Sequence, residues 1–148
     1  MKYFCVITML GIFMLCFFSP AVAVAEQPAK DYLTGSLDLL VNSALIAYNC
    51  EDCVKFYEYF AKQMEPITAE QYFKAVYIKG YKKNFGDFIS KVLLPEESSF
   101  DPDFPMLVYM AQFSDCPKVK ITVNFTKEYD NYRINRIEFD KVLIDEGK

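Results

Sequence analysis

The chain has 148 residues, 53% of them hydrophobic and 17% aromatic, a formal charge of −4 and no histidine. That aromatic content excludes intrinsic disorder, and a pI near 4.9 without a basic run excludes nucleic acid as a partner. Lacking His, the chain has neither the commonest general base nor the commonest metal ligand, so no metal, no cofactor and no catalytic residue is assigned.

Residues 1–25 differ from the rest. Met1-Lys2-Tyr3 leads into an apolar run from Phe4 to Phe18, Ser19-Pro20 breaks it, and Ala21-Val22-Ala23-Val24-Ala25 supplies the small residues of a cleavage site. These are the parts of a secretory signal peptide, with cleavage expected after Ala25. The run is shorter than the ~20 residues of a membrane-spanning helix, so the expectation is a periplasmic or secreted protein, residues 26–148, with no transmembrane segment once the signal is cut. Lys2 is the only charge lost with it, which moves the net charge to −5. Cys5 and Cys16 leave too. Cys50, Cys53 and Cys116 remain, and in an oxidising compartment three cysteines imply one disulfide and one thiol. Either Cys50 and Cys53 pair locally or one of them reaches Cys116.

From Tyr32 the apolar residues Leu33, Leu37, Leu40, Val41, Ala44, Leu45 and Tyr48 recur at helical spacing. Asn49 interrupts them and is placed as the cap of a second helix, with Glu51 and Asp52 in its first turn. That helix is expected to bury Val54, Tyr57, Phe60, Ala61 and Met64 and to stop at Glu65-Pro66. Thr68 to Gln71 has the form of a capping box opening a third helix, whose stripe is Tyr72, Phe73, Val76, Tyr77 and Tyr81. Gly80 and Gly86 bracket its end, and Lys79, Lys82 and Lys83 complement the dipole there.

After Gly86 the period changes. Phe88 to Leu94 reads as a strand, Glu96 to Pro105 as a loop, and Met106 to Phe113 as a strand covered on both faces. Asp115-Cys116-Pro117 turns the chain. Val119, Ile121, Val123 and Phe125 then alternate with Lys120, Thr122 and Asn124, the clearest strand pattern present. Tyr129-Asp130-Asn131 turns it back into a strand whose phase slips near Asn135-Arg136, the mark of a bulge. The layout is α+β: N-terminal helices packed on a curled antiparallel sheet of about four strands.

That order, together with Phe56-Tyr57-Glu58-Tyr59-Phe60, the stretch Met64 to Gln71, Gly86-Asp87-Phe88 and the hairpin from Val119 to Phe139, resembles the NTF2-like (cystatin-like cone) superfamily, in particular its small secreted members of unknown function. The resemblance covers about Asp31 to Val142 and carries no catalytic signature. It implies a cone with an apolar pocket, for which Tyr48, Tyr57, Tyr72, Tyr77 and Tyr109 are the candidate lining residues. The reading that follows is a non-catalytic exported protein holding a small hydrophobic ligand. An alternative is an envelope-protein interaction or homodimerisation module using Lys120, Thr122, Asn124 and Arg133 on the outer sheet face. A second alternative is an enzyme, either a Tyr/Asp isomerase or a thiol redox protein built on Cys50-Glu51-Asp52-Cys53. Against the redox reading, the two acids between the thiols disfavour a thiolate.

Overall fold

Helix α1 (Ala23–Asn49) carries Leu37, Val41, Ala44, Leu45 and Tyr48 at steps of three and four, and none of the five is exposed. This is the core stripe the spacing predicts. The computed structural model describes residues 23–64 and 68–142. Residues 1–22, which hold most of the expected signal peptide, lie outside the described residues, as do 65–67, with the expected Glu65-Pro66 helix stop, and 143–148. Among the described residues no helix is long and apolar enough to cross a membrane.

The junction after α1 corrects the expected cap. Asp52, not Asn49, caps α2 (Cys53–Glu58), its carboxylate accepting from the Lys55 N–H at 3.0 Å. Asn49 reaches across to a strand instead. Its side-chain amide donates to the Phe88 carbonyl and accepts from the Phe88 N–H, both at 2.8 Å. The expected stripe holds at Tyr57, Phe60 and Ala61, which are buried, but Phe56 is buried in place of Val54, which is 81% exposed, and Met64 is exposed. The helix stops at Glu58 because the next residues pair with a strand: Ile134 donates to the Tyr59 carbonyl and Ala61 donates to the Ile134 carbonyl, each at 2.9 Å.

A 3₁₀ turn (Lys62–Met64) follows, and then one continuous helix over 69–85, here α3. It is built from an α-helical start (Ala69–Tyr72), a π-helical middle (Phe73–Lys82) and an α-helical last turn (Lys83–Phe85). Thr68 makes no side-chain capping bond, so the expected capping box does not form. Gly80 does not end the helix either. Phe73, Tyr77, Tyr81 and Phe85 repeat every four residues, a longer period than the 3.6 of an α-turn. The wider i→i+5 turns keep that four-residue repeat on one line, and they carry the helix through Gly80 to Gly86.

Gly86 ends it, with φ +79. A Cβ there would lie 1.8 Å from the Ser114 hydroxyl oxygen, so the position requires glycine on two counts. Lys82 ties the same corner together. Its ammonium donates to the Asn49 carbonyl (2.7 Å) and pairs with Glu51 (3.1 Å) and Asp87 (3.0 Å).

Four strands make an open antiparallel sheet in the order β1 (Phe88–Leu93), β2 (Met106–Phe113), β3 (Val119–Glu128) and β4 (Asn131–Lys141). The α+β layout with helices on a curled sheet is as read from the sequence. Val119, Ile121, Val123 and Phe125 face inward and are buried. The phase slip also has its expected cause. Asn124 pairs with Arg136 but Phe125 pairs with Ile134, which leaves Asn135 as the extra residue of a bulge. The curl brings both edge strands, β1 and β4, within contact of α1.

Candidate functional site

Helix α1 has a second stripe beside its core stripe. Asp31, Thr34, Gly35, Asp38 and Asn42 follow one another at helical steps and face the first two strands. Within the sheet, Leu93 pairs with Tyr109 and Lys91 with Ala111, so Lys91, Leu93 and Tyr109 share one face of adjacent strands. The cleft left between helix and sheet has a volume of about 450 Å³ and is lined by Asp31, Thr34, Gly35, Asp38, Lys91, Leu93 and Tyr109. Gly35 contributes by having no side chain, since a Cβ there would meet nothing within 4 Å.

Polar groups inside the cleft are arranged around Asp38. One carboxylate oxygen receives the Lys91 ammonium and the other accepts from the Asn42 amide at 2.9 Å. The Lys91 side chain is 7% exposed, and its ammonium sits 4.1 Å from the centroid of the Tyr109 ring. Taking an ammonium out of water costs several kcal/mol. Here a carboxylate and an aromatic face together offset that cost. Tyr109 itself is 1% exposed, and its hydroxyl is buried without a hydrogen-bond partner. The phenol stands beside the Asp38 carboxylate, which draws on its proton without a hydrogen bond of normal geometry. Burial first, and then the charge of Asp38, holds the phenol proton far above the usual tyrosine range. It is therefore a neutral donor at any physiological pH. The Asp38 carboxylate thus gathers Lys91 and Asn42 into one polar cluster at the wall of the cleft.

Comparison with protein-family models, curated proteins and solved structures finds no match for this chain. The site must be read from its own chemistry.

The five candidate tyrosines separate. Only Tyr109 lines the cleft. Tyr48 packs between Phe113 (6.1 Å) and Phe139 (5.8 Å) and donates its hydroxyl to the Gly86 carbonyl at 3.0 Å. Tyr57 and Tyr77 belong to an aromatic slab centred on Phe56, whose ring lies 5.3 Å from Tyr57, 5.0 Å from Phe73 and 4.6 Å from Tyr77. Tyr72 sits at the edge of that slab, 48% exposed. Burial raises the phenols of Tyr48 and Tyr77 far above their ordinary range as well.

The expected disulfide is corrected. No disulfide joins Cys50, Cys53 and Cys116. Cys50 is exposed in the turn after α1, Cys53 begins α2, and Cys116 is buried in the β2–β3 turn with its thiol directed to the Lys118 carbonyl at 3.7 Å. On the outer sheet face Lys120 pairs with Glu97 at 2.5 Å, and Arg133 donates to the Glu58 carbonyl at 3.0 Å. Two of the four residues considered for docking are thus engaged within the chain, while Thr122 and Asn124 stay half-buried. Asp31, Thr34, Gly35, Asp38 and Lys91 escaped the reading of the sequence. Their signal was a polar stripe at helical spacing bordering an apolar one, with a single lysine at an inward strand position.

Proposed function

We propose that the chain is an exported, non-catalytic binding protein of NTF2-like build that holds a small organic molecule in the cleft between α1 and strands β1 and β2. The observation that carries this reading is the placement of the Lys91–Asp38 pair and the partnerless Tyr109 hydroxyl inside one cleft. An unsatisfied buried hydroxyl costs about 1–3 kcal/mol, so stability does not account for its place there. Convergent polar groups in a concavity of roughly 300–1,000 Å³ are what small-molecule sites present. Export is supported by the signal-like residues 1–25, and cutting after Ala25 leaves every lining residue in place.

Native mass spectrometry of the protein purified from the cell envelope tests this. The expected result is a small-molecule adduct on the wild type that disappears in Gly35→Leu, where the Cβ enters open space and the larger side chain narrows the cleft. An adduct retained in that variant, or none on either protein, overturns the reading.

A further inference from the structure

The cleft also carries the chemistry of its ligand. We infer that the molecule it holds is a small hydroxylated amine, bound as its ammonium, a conclusion that rests on the cleft being the binding site.

Charge is the first argument. Of the two carboxylates lining the cleft, Asp38 is already paired with Lys91. Asp31 is exposed and makes no ion pair among the described residues. The neighbouring Lys30 is outside the lining, its ammonium over the Phe100 ring at 4.0 Å. Among the lining residues the charges of Asp31, Asp38 and Lys91 leave one negative charge in excess, and the ammonium is committed. An anionic ligand has nothing to bind to here.

The second argument is the balance of donors and acceptors. Thr34 gives its hydroxyl proton to the Lys30 carbonyl at 2.8 Å, which leaves its oxygen as an acceptor. With the Asp31 carboxylate this makes the helix side acceptor-rich, and the partner it suits is rich in N–H and O–H groups. The Tyr109 hydroxyl, buried and without a partner, is the donor on the sheet side, and it fits a hydroxyl oxygen of the same ligand.

The third argument is an occupant the chain supplies itself. Lys91 places an ammonium against the Asp38 carboxylate and 4.1 Å from the Tyr109 ring centroid. A carboxylate beside an aromatic face is how proteins receive ammonium groups. One corner of the cleft is thus already shown to accept that group, and the rest of the lining extends the same chemistry toward Asp31.

Three sugars that share a ring and differ in charge test the inference by titration calorimetry on the wild-type protein: glucosamine, N-acetylglucosamine and glucuronate. Glucosamine is expected to bind at least about tenfold more tightly than the other two, weakening as salt rises. Asp31→Asn, an exposed substitution that spares the fold, is expected to weaken it about three- to tenfold. Glucuronate or N-acetylglucosamine binding as well as glucosamine overturns the inference, and so does an Asp31→Asn variant that binds unchanged. If none of the three binds, the amine class falls. In that case an envelope adduct that still depends on Gly35 keeps the cleft as the site, whereas loss of that dependence removes both.

Discussion

Two regions of this molecule are built from the same residue types and do opposite things. Around Phe56, the rings of Tyr57, Phe60, Phe73 and Tyr77 lie 4.6–5.3 Å away in tilted and edge-on contacts. There tyrosine behaves as phenylalanine with a handle. Beside the N-terminal half of α1, Tyr109 stands under a lysine, next to a carboxylate, at the wall of an open cleft. One helix serves both regions, its core stripe running through Val41, Leu45 and Tyr48 and its polar stripe through Asp31, Asp38 and Asn42. The difference teaches that tyrosine content alone does not locate a pocket. What marks one is an aromatic residue at the wall of a cleft, set beside charged neighbours, whose own hydroxyl is buried and unsatisfied.

The largest test of this contrast removes the centre of the slab. Phe56 has no exposed surface, and Phe56→Ala is expected to cost about 3–5 kcal/mol, read as a fall in the urea midpoint at unchanged slope. A loss below about 1 kcal/mol would mean that the slab is not the stabilising region.

Next in size is a response to alkali shared by both regions. Burial raises the phenols of Tyr48, Tyr77 and Tyr109. Their folded-state pKa values thus lie above the unfolded value of about 10. Stability from them is fully present below that pH and is lost as pH rises beyond it, when the unfolded chain releases protons that the folded chain retains. The slope approaches about 1.4 kcal/mol per pH unit for each tyrosine. Tyrosinate absorbance and circular dichroism followed together from pH 9 upward check this, and the two signals should change in one step. Tyrosines that ionise while the fold persists would contradict it.

The smallest effect separates the regions most cleanly. Tyr48→Phe removes the hydrogen bond to the Gly86 carbonyl and is expected to cost about 0.5–1.5 kcal/mol. Tyr109→Phe removes a hydroxyl that has no partner, so at neutral pH it should be neutral or slightly stabilising while weakening ligand binding. Equal losses in thermal melts of the two variants would erase the distinction.

Much of the sheet was legible in the sequence because a strand's signal is local. Alternation from Val119 to Phe125 fixes the inward face, and the broken phase at Asn135 shows where the ladder carries an extra residue. The helices were read less well because tertiary contacts decide them. Val54 fits the helical spacing of α2 as well as Phe56 does, yet only the pairing of Tyr59 and Ala61 with Ile134 settles which side turns inward. Gly80 has the local character of a helix end, but the four-residue aromatic repeat carries α3 past it. The cleft was hardest to see. Asp31, Asp38 and Asn42 on a helix have the pattern of a solvated face, and nothing short of the sheet's register reveals that Lys91 and Tyr109 stand opposite them. The cysteines were read by compartment and parity, and neither consideration fixes where the thiols lie.

The Asn49 clasp on Phe88 has a consequence beyond the junction it closes. β1 is an edge strand, and an edge with free N–H and C=O groups is a template for another chain to extend. Because the Asn49 amide offers one donor and one acceptor, it imitates a single residue of a neighbouring strand, and the Phe88 backbone is satisfied before any outside strand arrives. Ile89 and Val92, both more than half exposed on the same strand, supply the apolar surface that would make such an encounter adhesive. One side chain at the end of a helix thus closes the first residue of the β1 edge to strand pairing and leaves the stretch with Ile89 and Val92 beyond it.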